Sequence, residues 1–454
     1  MSILSSGQRF AYSICRFGTS IFMNTTTLAL YYIYDKQFGL GEDSYLNATA
    51  LAIGKVIIAF SGFIFGYLSD ILPYSKVGRR KIFIWTGAPL LALSFVMLFL
   101  PNLLIPGAGT YGIFAWLLIW NGFFNLFYGY LLTPYQSWMT EITTENDRLL
   151  TSGLQNVTNV TSTLLGTGFA FLLPGLLNLE GGLTTKTSLI LLGIVLAFAI
   201  IEVVMFIPSL LMIKEEPVER KERNLIREFK VVLTNKNYVF WFMAQGVYSM
   251  GLTLITSLVL VFADSILGLN SILQTIVFGL AIFVTLMLCF LAWGKIANKI
   301  GKKWSLIIGF GFLILILPFS LLFKILPASW IEYAGYIYGF MIGVGLSAPY
   351  LFPYAIVADI ADKDERTTGE SRAGMYNGFN SIPLNIFQAL ALLLVGVIDK
   401  GDAYINRLYW FGPIAAAFIV CAIPILYFGN FDPFKQEFKA IDGDLNLEKQ
   451  TDNI

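Results

Sequence analysis

The sequence predicts an all-α integral membrane protein, with twelve transmembrane helices arranged as two pseudo-symmetric six-helix bundles. Three observations predict it. Apolar stretches fill nearly the whole chain, and those at 82–100, 188–213, 305–326 and 408–428 each hold the roughly 20 largely uncharged residues that cross about 30 Å of hydrocarbon as a helix. Of the 454 residues, 56% are hydrophobic and only 13% charged, an apolar share above that of soluble domains. The charges collect between the spans, and their pattern in the first half of the chain returns in the second.

In order, the spans run over 9–35, 44–73, 82–101, 111–140, 150–178, 187–213, 238–266, 271–298, 304–326, 330–361, 372–399 and 403–429. Lys76, Arg79, Arg80 and Lys81 follow the second, Arg148 the fourth, Lys299, Lys302 and Lys303 the eighth, and Lys363 and Arg366 the tenth. The opposite loops carry few basic residues, chiefly Lys36, Lys186, Lys400 and Arg407. The positive-inside bias therefore predicts that the basic loops and both termini are cytoplasmic, in a multi-pass protein of the cell membrane. Residues Met1 to Gln8 lack a basic region followed by a short apolar core, so no removable signal peptide is expected. Pro174, Pro208, Pro318, Pro349, Pro353, Pro383 and Pro424 interrupt spans and predict bends.

Between spans six and seven lies the longest charged segment, with Lys214, Arg220, Lys221, Arg223, Arg227 and Lys230 among Glu215, Glu216, Glu219, Glu222 and Glu228. Mixed charge of this kind predicts a solvated or membrane-surface helix. The expected division is a bundle over 1–213, a linker over 214–237, a second bundle over 238–430 and a tail over 431–454. Two echoes in register support duplication. Glu141-Ile142 followed by Asp147-Arg148 has the spacing of Asp359-Ile360 followed by Glu365-Arg366, each after a Pro-Tyr pair, Pro134-Tyr135 or Pro353-Tyr354. Gly66, Asp70, Gly78, Arg79, Arg80 and Lys81 are echoed by Gly294, Asn298, Gly301, Lys302 and Lys303. Such parallel repeats are the organisation of the major facilitator architecture.

Several function classes are disfavoured. A formal net charge of +1 points to no nucleic-acid partner. The absence of histidine removes imidazole relays, Ser-His-Asp triads and histidine metal sites. Cys15, Cys289 and Cys421, an odd number placed in separate spans, argue against a disulfide framework. A membrane enzyme acting on lipid-linked substrates would need clustered catalytic groups, and Asp359, Asp362 and Asp364 are better explained by the repeat. A transporter-like sensor would need a signalling domain, for which residues 430–454 are too few and too polar. No cofactor and no metal are expected.

At these motifs the chain resembles the major facilitator superfamily and, within it, the glycoside-pentoside-hexuronide:cation symporters, the melibiose-permease and sucrose-transporter-like group. Gly66-Tyr67-Leu68-Ser69-Asp70 with Gly78-Arg79-Arg80-Lys81 resembles that group's loop between helices two and three. Pro134-Tyr135 with Glu141 and Asp147-Arg148 resembles its helix-four motif, and Ala358-Asp359-Ile360-Ala361-Asp362 with Gly369-Glu370-Ser371-Arg372 its helix-ten to helix-eleven motif. The chain departs from the sodium-coupled branch, where acidic residues in helices one, two and four and a lysine in helix eleven build the sites. The corresponding positions here hold Thr19, Ile58 with Gly62, Leu132 and Ile382, and an arginine of helix five is replaced by Gln155 or Asn156. The resemblance implies sugar or glycoside transport with a cation, a proton rather than sodium, and by the departures the sodium site does not carry over.

A carboxylate at one helix end and a cation in the next loop form charge-assisted bonds that must break when the inner side opens. Asp70, Arg79, Arg80, Glu141, Arg148, Asp359 and Arg366 are accordingly the expected inner gate. Polar groups at hydrocarbon depth face the bundle interior, which selects the substrate-binding candidates. Arg16 and Lys55 suit an anionic group. Asn377, Ser381, Asn385 and Gln388 share one helix face, as do Gln155 or Asn156, Asn159 and Thr163, and as do Asn121, Asn125 and Tyr128. Gln245 and Tyr248 extend the set from span seven. Amides both donate and accept, as sugar hydroxyls require, although hydrogen bonding between helices uses the same groups. Glu202 is the one carboxylate well inside a span, and desolvation favours its neutral form, which makes it the coupling candidate. The expected activity is secondary active transport of a sugar by alternating access, coupled to protons, in a monomer; a carrier of an anionic or amphiphilic solute such as a lysolipid is the alternative.

Overall fold

The computed structural model describes residues 4–75, 77–143, 145–178, 184–215, 225–368, 373–400 and 403–429, and its regular structure is helical. The first half comprises α1 (Ser6–Ser13), α2 (Arg16–Lys36), α3 (Ser44–Ile71), α4 (Lys81–Leu98), the short α5 (Pro101–Leu104), α6 (Thr110–Ile142), α7 (Glu145–Asn178) and α8 (Thr185–Met212). A linker helix, α9 (Leu225–Thr234), precedes the second half: α10 (Lys236–Ser265), α11 (Ile272–Ile300), α12 (Lys302–Ile316), α13 (Ala328–Leu351), α14 (Pro353–Thr368), α15 (Ala373–Ile398), α16 (Tyr404–Leu408) and α17 (Phe411–Phe428).

Among the described residues, 11 helical segments are long and apolar enough to cross a membrane. The remaining expected span, α2, is too polar for that criterion, because it carries Ser20, Asn24 and the run Thr25 to Thr27. Most of its residues are buried against protein, where hydroxyls and amides find partners that lipid cannot supply.

Four spans expected to be continuous are interrupted, the twelfth among them between α16 and α17 at Tyr409 and Trp410. The first breaks at Ile14 and Cys15, where Cys15 N–H donates to Tyr12 O and Phe17 N–H to Ile14 O, while the Cys15 thiol reaches Ser209 Oγ of α8 at 3.3 Å. The ninth tightens after α12 into a 3-10 turn, Leu317–Lys324, at Pro318. The tenth breaks between α13 and α14 at Phe352, where the ring nitrogen of Pro353 cannot continue the hydrogen-bond ladder.

The halves repeat in their packing as well as in sequence. On Gly129 of α6, a Cβ would stand 2.7 Å from Gly62 N of α3; on Gly343 of α13, it would stand 2.3 Å from Ile282 O of α11. Small residues let these helices approach backbone to backbone, which is how membrane helices gain packing energy.

The halves meet at the face opposite Arg79, Arg80, Lys302 and Lys303, which mark the basic face. There α3 lies on α15, with Gly396 so close that a Cβ would be 2.7 Å from Ala48 Cβ. The equivalent seam brings Gly175 of α7 against Ile272 of α11, and the Phe171 and Phe278 rings to 6.0 Å. The described conformation is therefore sealed at the face opposite the basic loops.

Candidate substrate path and its charged supports

Below the seal, the contact between α3 and α15 changes character. Ala48 packs at Gly396, Ala52 clusters with Ala389 and Leu392, and Lys55 follows on the same stripe of α3. The facing stripe of α15 runs Gly396, Leu392, Ala389, Asn385 and Ser381, so Lys55 stands where it turns from apolar to polar. Lys55 is half-buried and has no hydrogen-bond or ion-pair partner among the described residues. Asn385 donates to Ser381 O at 2.7 Å, and Gln388 is half-buried. Nearby elements of the same half present buried carbonyl oxygens without donors, Gln245 Oε1 on α10 and Asn380 Oδ1 on α15. Asn380 was not among the sequence candidates, because it lies off the Asn377–Ser381–Asn385 stripe.

The first half contributes a second polar group. Ser20 Oγ donates to Asn159 Oδ1, Asn24 Nδ2 donates to Thr163 Oγ1 at 3.0 Å, and both contacts join α2 to α7 in partly buried surroundings. Gln155 Nε2 donates to Tyr135 Oη at 2.7 Å, and Tyr135 Oη donates to Tyr12 O at 2.6 Å. Arg16 opens α2 beside this network, with Nη1 buried and lacking an acceptor. Asn156 is exposed.

Other candidates are committed to packing. Asn121 Nδ2 donates to Ala50 O of α3 at 2.9 Å and Asn125 Nδ2 to Asn121 Oδ1 at 2.9 Å, beside Gly54. Their shared face is turned to α3. Tyr248 is buried with its ring 4.9 Å from that of Phe310 on α12. Glu202 of α8 is fully buried, neither carboxyl oxygen has a hydrogen-bond partner, and Gly18 of α2 packs on it closely enough that a Cβ would be 2.5 Å from Glu202 Cα. Asp70, Arg148 and Asn377 lie outside the residues whose side chains the structure describes.

At the basic face the charged groups form two equivalent supports. In the first half, Arg79 and Arg80 converge on Glu141 Oε1 at 2.6 and 2.7 Å, and Arg80 also reaches Ser69 Oγ. Lys81 Nζ donates to Leu210 O, near the end of α8, at 2.8 Å. In the second half Lys302 pairs with Asp359, and Lys303 Nζ donates to Tyr427 O and Gly429 O at the end of α17. Each of these ion pairs joins elements of one half, so they brace a bundle rather than tie the two together. Asp359 pairs with Lys302, and Arg366 is exposed.

Sequence reasoning passed over Glu215, grouping it with the solvated linker. Its carboxylate accepts from the N–H groups of Arg79, Arg80 and Lys81 at 2.8, 2.8 and 3.1 Å, capping α4 where backbone donors and helix dipole favour an anion. Gly78 permits this with φ of 112°, and a Cβ there would lie 2.3 Å from Glu215 Oε2. A glycine just before a helix start was the available signal.

Comparison with known proteins accords with this architecture. Residues 11–398 match the family described as MFS/sugar transport protein. An uncharacterized symporter of Synechocystis sp. is 26% identical over 193 residues, a stretch covering 40% of this chain and 33% of that protein's length. Among solved structures, a D-xylose-proton symporter superposes with a TM-score of 0.65 at 13% identity, covering 94% of this chain and 97% of that one. A bacterial homolog of the human lysosomal transporter Spinster, in an inward-facing and occupied conformation, gives a TM-score of 0.65 at 14% identity, over 93% and 96% of the two chains. At such identities the two structures speak to the fold alone. The 11 apolar helical segments and the buried α2 among the described residues, polar groups beneath a sealed face and a family match across most of the sequence make this chain a multi-pass membrane transporter, not an enzyme, and it belongs to the MFS/sugar transport protein family.

Proposed function

We propose that the protein is a proton-coupled secondary transporter that moves a sugar or glycoside by alternating access. Its working units are the bundles 1–213 and 238–430, joined by the linker 214–237 and followed by the tail 431–454. By the positive-inside bias the basic face and both termini are cytoplasmic, in the cell membrane, so the described conformation opens inward. The observation that carries this reading is the polar transition below the seal. Asn385, Gln388 and Gln245 from one half, and Ser20, Asn24, Asn159 and Thr163 from the other, present the mixed donors and acceptors that hydroxylated solutes need. Counterflow of labelled sugars in proteoliposomes, with and without imposed proton and sodium gradients, tests it. Exchange of a sugar, accelerated by a proton gradient alone, is the expected result, and no sugar exchange under any gradient contradicts it.

A second reading rests on Lys55, which has no ion-pair partner among the described residues, and on Arg16, whose Nη1 lacks an acceptor; both suit a solute with a negative charge. Competition between neutral and anionic sugars, and a lysolipid, separates the two.

Glu202 is the proposed coupling residue. Its carboxyl group is buried in the middle of a span without hydrogen-bond donors, and the Arg16 charge is its counterweight. Glu202→Gln is expected to abolish proton-driven accumulation while leaving solute exchange at equal concentrations intact. Unchanged accumulation removes Glu202 from the mechanism.

A further inference from the structure

The seal contains a cluster of ionisable groups that no sequence motif marks. Asp35 ends α2 in the first half, and Asp399 follows α15 in the second, just beyond the membrane span Gly378–Ile398. Both are buried, at 6% and 3% exposure, and their carboxyl groups lie within hydrogen-bond reach of each other. Asp35 is held by Lys36 at 3.1 Å. Asp399 Oδ2 accepts from Tyr31 Oη at 2.9 Å, and its backbone oxygen accepts from Ser44 Oγ at 2.8 Å. Asp399 Oδ1, though buried, faces no donor.

Other charged and titratable groups surround the pair. Lys36 lies over the Tyr404 ring of α16 at 4.6 Å, and Arg407 Nε donates to Ile398 O at the end of α15 at 3.2 Å. From α10, Asp264 reaches Tyr32 of α2. Tyr31, Tyr32, Asp35 and Lys36 thus clasp the second half from one end of one helix.

Two carboxyl groups bond to each other only when one carries a proton. Lys36 neutralises Asp35, so the proton belongs on Asp399 Oδ1, donated to Asp35; this gives the otherwise unpartnered oxygen its role. We propose that the Asp35–Asp399 pair is a proton-held latch that closes the seal between the bundles and releases its proton when that face opens. Burial, and then the neighbouring Asp35, push the Asp399 carboxyl up to about 8. Exposed in an open state, it returns to about 4, the ordinary carboxylate value. The sealed state therefore binds the proton more tightly, so its advantage is complete below about pH 4 and falls as pH rises, until it is lost above about pH 8.

The latch rests on the alternating-access reading, and its test needs no solute. Spin labels at Glu42→Cys and Ala403→Cys, exposed positions on either side of the seam, report its opening by distance distribution, with Cys289 and Cys421 replaced by alanine. Between about pH 5 and about pH 8 the ratio of open to sealed molecules is expected to rise by up to about tenfold per pH unit, and then to level off. Asp399→Asn places a permanent donor against Asp35 and is expected to hold the seam sealed at every pH. Asp35→Asn, an independent variant, replaces the acceptor of that proton with an amide and is expected to move the pH dependence to lower pH, since burial alone still raises the Asp399 carboxyl. A seam that opens equally at every pH, pH dependence that survives in Asp399→Asn, or pH dependence left unshifted in Asp35→Asn overturns the latch and leaves the transport reading standing. A seam that never opens overturns both.

Discussion

Replacing Lys55 by methionine is expected to weaken solute binding by about 10- to 100-fold, the loss of one charge-assisted hydrogen bond in a desolvated site. Methionine keeps the length and apolar stem of the side chain and removes only the ammonium group. The position carries the argument. Lys55 follows Ala48 and Ala52 on the stripe of α3 that faces α15, and it comes where that partner presents Asn385 in place of Ala389 and Leu392. A lysine kept at hydrocarbon depth without a carboxylate beside it is expensive unless solute or water meets it. Equilibrium binding of labelled solute to purified protein checks the outcome. Because Lys55 makes no described hydrogen bond, the melting temperature is expected to hold. Undiminished affinity places Lys55 outside the path.

Glu141→Gln is expected to have the larger effect on integrity. Arg79 and Arg80 share one carboxylate oxygen, and Arg80 is 4% exposed, so neutralising Glu141 leaves converging guanidinium groups with a buried deficit of charge. Removing one member of a buried pair costs about 3 kcal/mol. The melting temperature is expected to fall clearly, with transport falling in parallel. Asp359→Asn breaks the equivalent support of the second half, where Lys302 is 33% exposed and solvent screens the charge, so the loss should be smaller. Thermal unfolding monitored by fluorescence compares the two variants directly. Equal stability of the Glu141 and Asp359 variants contradicts this account of the supports.

The sequence made the helices and their duplication legible because both are written locally. Span length follows from apolar runs, and the paired echoes around Arg79–Glu141 and Lys302–Asp359 became two equivalent supports. What stayed hidden depends on which neighbour a face meets. Asn121 and Asn125 share a helix face, as their spacing says, but it faces α3 at Gly54; helical period gives the face and not its partner. Glu215 looked like one of many linker charges, and only its approach to the start of α4 distinguishes it. The outer clasp was the least legible element, since Tyr31 and Asp399 are 368 residues apart and neither belongs to a repeated motif. The basic-face pairing of a carboxylate at a helix end with a cation in a neighbouring loop was legible as well, in Glu141 with Arg79 and Arg80 and in Asp359 with Lys302.

The central claim is that the two halves part at the sealed face in each transport cycle. Ala52→Cys with Ala389→Cys tests it most directly, since both alanines belong to the buried cluster where α3 meets α15 and the replacements are small. Oxidation to a disulfide is expected to arrest solute uptake and reduction to restore it, while the unoxidised double variant transports normally. Full uptake with the disulfide verified in place would contradict alternating access through this seam.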